Sequence, residues 1–210
     1  MTFLRYTLRA TRYIIMISTE QIKQLRDATG ISVMQCKKAL EEASGDMEKA
    51  QIMLQKKGAD IANKKAGRVL GAGIITAYVH SNGAIAAMVE LSCETDFVAK
   101  NDEFKALAYD IAMHVVAANP LYLKDEDIME ESKLKVKEVF AKEAEGKPAA
   151  IVDKIVQGKL QSYFGEKTLL DQSFIKNPEI TVRELVQSGV QKFGEKIEVA
   201  RFARFSVLGQ

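Results

Sequence analysis

Two side chains that carry much of enzyme chemistry are nearly missing from this chain: it has two cysteines, Cys36 and Cys93, and two histidines, His80 and His114. Two cysteines cannot build a disulfide framework. Each falls in an apolar-periodic stretch, which suits a small buried residue in a reducing compartment. Two histidines exclude a histidine-rich metal site, and the distant cysteines give structural zinc no support. There is no glycine-rich phosphate loop: Gly71-Ala72-Gly73 is a lone Gly-x-Gly that precedes a strand, whereas a dinucleotide fingerprint follows one. No apolar run approaches the roughly 20 residues that cross a bilayer. No charge of one sign dominates. The net charge is +2, and residues 1–15 hold Arg5, Arg9 and Arg12 without an acid, so the remainder carries −1. A chain so nearly neutral lacks the concentrated basic patch of a direct nucleic-acid binder. What is present is ordinary for a globular protein, 47% hydrophobic and 28% charged over 210 residues. That length holds one large domain or two small ones. No internal repeat or low-complexity segment breaks it up, and neither a metal nor a cofactor is expected.

Residues 1–15 are basic, acid-free and without a long apolar core, so a secretory signal is not expected. Two readings stand: an organellar transit segment, or an upstream artefact with Met16 as the true start. Residues 16–57 read as a three-helix bundle. Ser18 with Gln21 forms a capping box, Gly30 closes the first helix, and Ser32 with Gln35 repeats the device. Cys36, Ala39, Leu40 and Ala43 then share one face. Gly45 ends that helix, Asp46 caps the next, and Gly58 is expected to stop it. Residues 58–69, with Lys64, Lys65 and Arg68, read as a linker.

Residues 70–210 read as a core and dimerisation domain. Alternation over Ile74–His80, the dipeptide Asn82-Gly83 and the return Ile85, Ala87, Val89, Leu91 predict a hairpin with a type I′ turn. That register pairs Thr76 with Val89 and Ile74 with Leu91. Asn101 is placed to cap a helix whose stripe is Phe104, Leu107, Ala108, Ile111, Val115 and Ala118, ending before Pro120. The charged residues 125–145 predict a projecting helix. Pro148 opens another, with Ile151, Val152, Ile155, Val156 and Tyr163 inward and Gly165 closing it. Thr181 and Glu184 form a further capping box, Gly194 closes that helix, and residues 196–207 alternate as a final strand. The fold class is α+β: an N-terminal three-helix bundle, then a core domain with a small antiparallel sheet packed by helices.

The stretch Glu90-Leu-Ser-Cys-Glu-Thr-Asp-Phe-Val-Ala-Lys100 lies where the hairpin gives way to a helix. Strand ends of this kind present side chains to partners from a rigid scaffold. Thr95, Asp96, Phe97 and Val98 offer a carboxylate beside an apolar wedge, suited to disturbing a phosphate or metal site; the plain alternative is a helix-entry Asp with a Phe covering the core. Cys93 and His114 are a formal nucleophile and base, although Cys93 sits in an apolar strand. His114 reads as a helix-surface imidazole with Asp110 one turn earlier. Arg26, Val33, Met34 and Lys37 read as bundle surface, with Val33 and Met34 as exposed apolar anchors.

Several of these segments resemble one family. Leu25-Arg26-Asp27-Ala28-Thr29-Gly30 followed by Cys36-Lys37-Lys38-Ala39-Leu40, the Glu90–Lys100 stretch, Ile111-Ala112-Met113-His114-Val115, and Arg201-Phe202-Ala203-Arg204-Phe205 resemble the signatures of the elongation factor Ts family, in order and spacing, across roughly residues 16–209. The resemblance implies a guanine nucleotide exchange factor for elongation factor Tu, without covalent chemistry or cofactor. It implies a ubiquitin-associated-like bundle that holds the GTPase through Arg26, Val33, Met34 and Lys37. It implies contacts from Thr95, Asp96, Phe97, Val98 and His114, the Asp-Phe pair disturbing the Mg²⁺ and phosphate environment of the partner. Ser92 and Gln35 stand where the signatures more often carry other residues, and no helical extension follows the last strand. Only one hairpin unit is apparent, which resembles the short class of the family, where a symmetric homodimer supplies the second half. The expected location is cytoplasmic, or an organelle's stroma or matrix if residues 1–15 are a transit segment. A chaperone-like protein-binding module is the alternative, and a Cys93/His114 hydrolase is a third reading.

Overall fold

The computed structural model describes residues 17–144 and 148–207, so the leader at residues 1–15 and the start proposed at Met16 lie outside the described residues. The chain forms two compact units with a boundary between Lys56 and Lys57. The fold is α+β, as expected.

The first unit contains α1 (Thr19–Thr29), α2 (Val33–Glu42) and the first part of α3 (Met47–Lys65). Ser18 accepts from the Gln21 amide while the Gln21 side chain reaches back to the Ser18 amide, satisfying two orphan donors at once. Gly30 takes a left-handed φ of 68° and its N–H closes α1 onto the Arg26 carbonyl at 2.7 Å. Ser32 Oγ accepts from the Gln35 amide, and Asp46 Oδ1 from the Lys49 amide, so each later helix starts on its own cap. The helical spacing then buries Leu25, Cys36, Ala39, Leu40, Ala43, Ala50 and Leu54 against one another. Each leucine so buried contributes about 1.5–3 kcal/mol.

Gly58 does not end α3, which continues to Lys65 through most of the expected linker. A mid-helix glycine costs about 1 kcal/mol relative to alanine. The structure uses it for close approach: a Cβ at Gly58 would meet Gln191 Oε1 at 3.2 Å and the Gln187 carbonyl at 3.5 Å. Ile61 and Ala62, one turn later, pack on the core of the second unit.

In the second unit, β1 (Ala72–Val79), β2 (Ile85–Cys93) and β5 (Ile197–Ser206) form an antiparallel sheet in the order β1-β2-β5. Thr76 pairs with Val89 and Ile74 with Leu91, the register the sequence implies. The turn itself is not type I′. That geometry requires positive φ at both Asn82 and Gly83, yet only Gly83 has it, at 69°. The Gly83 N–H closes onto the His80 carbonyl, and Asn82 Oδ1 accepts from the Ala84 amide at 3.0 Å. Asparagine's habit of bonding the backbone two residues on has selected a different loop with the same register.

One face of the central strand β2 buries Ala87, Val89, Leu91 and Cys93. Over it lie α4 (Asp96–Ala99) and α5 (Asp102–Ala118), the latter capped by Asn101 and burying Phe104, Ala108, Ile111 and Val115. Following are α6 (Glu130–Glu143), α7 (Ala149–Gly165), a short hairpin of β3 (Ser173–Phe174) and β4 (Asn177–Thr181), and α8 (Val182–Phe193). The Thr181–Glu184 capping box forms, and Val182, Val186 and Val190 close the core from α8. The β3–β4 hairpin has strands too short to show a period in the sequence.

The charged α6 buries none of its side chains, and it packs along α7. In α7, Val156 points inward, but Ile151 and Tyr163 are exposed and Phe164 is buried in place of Tyr163. The helical phase is rotated by about one residue, 100°, from the expected stripe at its end.

Among the described residues, the other face of the sheet stays exposed. Glu90 pairs with Arg201 but Leu91 with Val199, so Ala200 is an extra residue in β5. A one-residue bulge reverses which side each later residue faces. Ile197 and Val199 therefore point into the core, whereas Ala203 and Phe205 point out beside Met88 and Ala86. With Ile75 and Val79 of β1 they make an exposed apolar face, edged by the Arg201–Glu90 ion pair at 2.6 Å.

Gly73 tests the packing of β1 on β2. A Cβ there would lie 2.6 Å from the Leu91 carbonyl oxygen and 3.0 Å from Ser92 Cα, both backbone. Gly73→Ala should lower the unfolding free energy by about 1–3 kcal/mol in urea titration. Gly67→Ala, with open space around it, should change it by no more than about 0.5 kcal/mol.

Candidate partner-binding site

Thr95, Asp96, Phe97 and Val98 form the entry and body of α4, a helix of one turn. A single turn does not sustain itself, because nucleating a helix fixes several dihedrals for one hydrogen bond. This one is held from below and behind. Val98 and Ala99 are partly buried against the core, so Val98 is a foot of the turn and not a second exposed apolar tip. The Thr95 carbonyl accepts the Ala99 amide and also the Cys93 thiol, at 3.2 Å each.

Phe97 stands clear of this base with 84% of its surface exposed. An aromatic side chain left in water beside a well-packed core is an uncompensated apolar surface, and burying it on a partner contributes about 1.5–3 kcal/mol. Asp96 sits next to it, its carboxylate 2.5 Å from Lys100 Nζ one turn on. That hydrogen bond and charge hold the carboxyl below its ordinary pKa, so it is ionised at neutral pH. Both partners are largely exposed. Such exposed, solvent-screened pairs contribute little, so Asp96 can exchange Lys100 for another partner at little cost.

The residues behind the turn leave little mark in the sequence. Thr95 does not cap α4 with its hydroxyl; it donates to Glu195 Oε1 at 2.5 Å. The Glu94 and Thr95 amides both donate to Glu195 Oε2, at 3.1 and 3.0 Å. Glu94 in turn accepts the Lys196 amide at 2.6 Å and Arg68 Nη1 on both oxygens, at 3.2 and 3.0 Å. These bonds, the Lys196 amide foremost, lower the Glu94 pKa. Only Glu94, the acid next to the candidate motif, had a local signal; Arg68 lies 26 residues before it. Glu195, 100 residues from Thr95, had none.

His114 does not join this cluster. It lies 12 residues beyond Asp102 along α5, about 18 Å of helix, and it is fully buried, contrary to the surface position expected. Nε2 is 2.9 Å from Gln172 Oε1, and Nδ1 accepts the Ile175 amide at 3.3 Å. These partners fix the neutral tautomer with the proton on Nε2. Asp110, its expected neighbour, pairs instead with Lys176 at 2.6 Å. His114 thus braces the β3–β4 hairpin from inside, with Phe174 against its ring. Cys93 and His114 are not hydrogen-bond partners, and burial, aided by the Glu195 charge, raises the Cys93 thiol pKa. The nucleophile–base pair of the hydrolase reading is therefore not assembled.

In the first unit, Arg26, Val33, Met34 and Lys37 are all exposed. Met34 has 76% of its surface exposed, and Val33 opens α2 one turn before Lys37, whose nearest acid is Glu41 at 3.8 Å. An exposed Met-Val pair beside a cation is an adaptable apolar contact with a charged rim. Among the described residues, no group of three or more His, Cys, Asp or Glu is placed to hold a metal, and no helix is long and apolar enough to cross a membrane.

Comparison with known proteins is consistent along the chain. The family model described as elongation factor TS matches residues 14–210. Elongation factor Ts of Carboxydothermus hydrogenoformans is 50% identical over 194 residues, 91% of this chain and 89% of that one. The Heliobacterium modesticaldum protein of the same name is 48% identical over 194 residues, with 91% and 90% covered. That of Thermotoga maritima is 49% identical over 191 residues, with 91% and 96% covered.

The buried imidazole gives a pH dependence with a definite sign. Burial lowers the His114 pKa, opposed more weakly by the Gln172 bond. The native state then binds fewer protons than the unfolded one, so stability falls as pH drops below the unfolded value of about 6.5 and levels off once the folded pKa is passed. Urea titrations from pH 8 to 5 should show this loss in the native chain. In His114→Asn the slope attributable to this site should vanish, with about 1–3 kcal/mol lost at pH 8 from the disrupted Gln172 and Ile175 bonds.

Proposed function

This chain belongs to the elongation factor Ts family, and on that footing we propose that it is a translation elongation factor that promotes GDP release from elongation factor Tu. One observation carries the reading. Phe97 and Asp96 stand exposed on a one-turn helix whose backbone is tied down on the inner side. An apolar wedge and an ionised carboxylate, pre-oriented together, suit insertion beside a bound nucleotide. Mg²⁺ bridges the nucleotide phosphates and demands near-ideal octahedral geometry, so a small displacement of its ligand shell weakens GDP binding. No covalent step and no cofactor of its own are needed, and the protein acts in the cytoplasm.

The work is done by differential binding. If the factor binds the empty GTPase more tightly than the GDP form, GDP must weaken the factor's binding by the same ratio. Thr95 and Val98 hold the tip, while Arg26, Val33, Met34 and Lys37 of the first unit supply a docking surface that holds the GTPase during exchange. His114 acts indirectly in this scheme, by bracing the β3–β4 hairpin that carries Ile175 and Lys176.

A homodimer is also part of the proposal. The exposed sheet face of Ile75, Val79, Met88 and Phe205 is the kind of contiguous apolar surface that marks an interface. A two-fold pairing sets the same patch of each copy against the other.

Two experiments test these readings. Phe97→Ala and Asp96→Ala should each slow stimulated GDP release by tenfold or more, the scale of losing an interface anchor, while melting temperature and far-ultraviolet spectrum stay unchanged. A fall in melting temperature with intact release per folded molecule would mean that Phe97 serves the fold alone. For assembly, light scattering at micromolar concentration should show a dimer that Met88→Glu converts to monomer; a native chain that is monomeric there yet fully active removes the dimer from the mechanism.

A further inference from the structure

Glu195 lies in the turn between α8 and β5, outside the Thr95–Val98 segment and far from it in sequence. Its two carboxylate oxygens take both amides that lead into the tip helix and the hydroxyl of its N-cap residue, Thr95. The return contact has the same form: Glu94 accepts the Lys196 amide. Two neighbouring backbone segments have exchanged carboxylates. Three cations gather around the pair: Arg68 on Glu94, Lys196 Nζ on the Arg68 carbonyl at 3.3 Å, and Lys65 Nζ on the Gly194 carbonyl at 2.7 Å.

The cost of this arrangement falls on α4. A threonine at a helix N-cap ordinarily accepts from the second or third helical amide with its hydroxyl. Thr95 has the extended backbone of an N-cap, φ −127° and ψ 157°, but makes no such bond. The turn has given up its own cap for a tether to the start of β5. Three charge-assisted bonds to one carboxylate leave the Glu94–Thr95 backbone little rotation.

We propose that Glu195 is a positioning residue for nucleotide exchange, holding the Glu94–Thr95 backbone so that Asp96 and Phe97 reach the GTPase already oriented. This rests on the exchange reading of the tip. A tip without the tether must be ordered during binding, which is a cost that preorganisation removes. The effect therefore passes through Phe97 and Asp96 and has no independent route to the nucleotide.

The test is a double-mutant cycle on the full chain with GDP-loaded elongation factor Tu, reading release of a fluorescent GDP across a range of factor concentrations. Glu195→Ala should reduce the saturating release rate by about tenfold, the scale of a lost charge-assisted bond. In a Phe97→Ala background the same change should slow release by clearly less, about threefold, because one of the two groups it positions is gone. Melting temperature should fall equally in both backgrounds. Amide exchange should quicken at Glu94 and Thr95 while the β2 amides of Val89 and Leu91 stay protected. Glu195→Gln keeps the length and one acceptor oxygen. It should give a smaller loss with the same dependence on Phe97, and it replaces the alanine variant should that fail to fold. Equal slowing with and without Phe97 would make Glu195 a general stabiliser and overturn the proposal, as would unchanged release in Glu195→Ala. Slow release in Phe97→Ala with native release in Glu195→Ala sinks the positioning role alone. Native release in Phe97→Ala sinks the exchange reading and this inference with it.

Discussion

A helix of four residues cannot specify its own orientation, and the candidate site of this protein is built on one. Everything around α4 answers that constraint. The buried face of β2 brings the chain to the end of the sheet at Cys93, and α5 leads it away from Asn101. Between them the turn rests on Val98 and Ala99 and is tied through Glu94 and Thr95 to the first residues before β5. The outward parts, Asp96 and Phe97, make few contacts because the inward parts make many. A side chain as exposed as Phe97 keeps a defined direction only when its backbone is overdetermined elsewhere.

What the sequence discloses and what it hides follow the range of the interactions. Capping by Ser18, Asn101 and Thr181 joins residues two or three apart, so composition at fixed spacing reveals it. The hairpin register is similarly local, since Asn82-Gly83 and the alternation around it allow one pairing. Gly58 misleads because a helix-stopping glycine and a glycine under a crossing helix look alike until Gln187 and Gln191 are brought beside it. His114 misleads for the same reason. Its spacing from Asp110 suggests a surface pair, but the Gln172 and Ile175 partners that bury it come from 58 and 61 residues away. The exposed tip was legible in position, because a polar pair with Phe97 marks the strand end, but its tether was not.

The two units divide their apolar surface differently. The first buries a tight cluster of small and leucine side chains and leaves Val33 and Met34 at the opening of α2. Among its described residues the second leaves apolar surface at the Phe97 tip, on the outer sheet face and on the α6–α7 pair with Leu134, Val139 and Ile151, besides scattered single side chains such as Val69 and Met129. Where such side chains are contiguous, as on the outer sheet face, they are the kind of surface that marks an interface.

The clamp behind the tip also bears on the order in which the molecule is made. Glu94 and Thr95 are translated about a hundred residues ahead of Glu195, which at roughly 5–20 residues per second is an interval of several seconds. Until β5 arrives, β2 lacks one of its two sheet neighbours and the tip lacks its tether. A growing chain therefore displays the Asp-Phe sequence well before it displays the Asp-Phe geometry. The direction of the tip is thus settled only once the last strand of the sheet is in place.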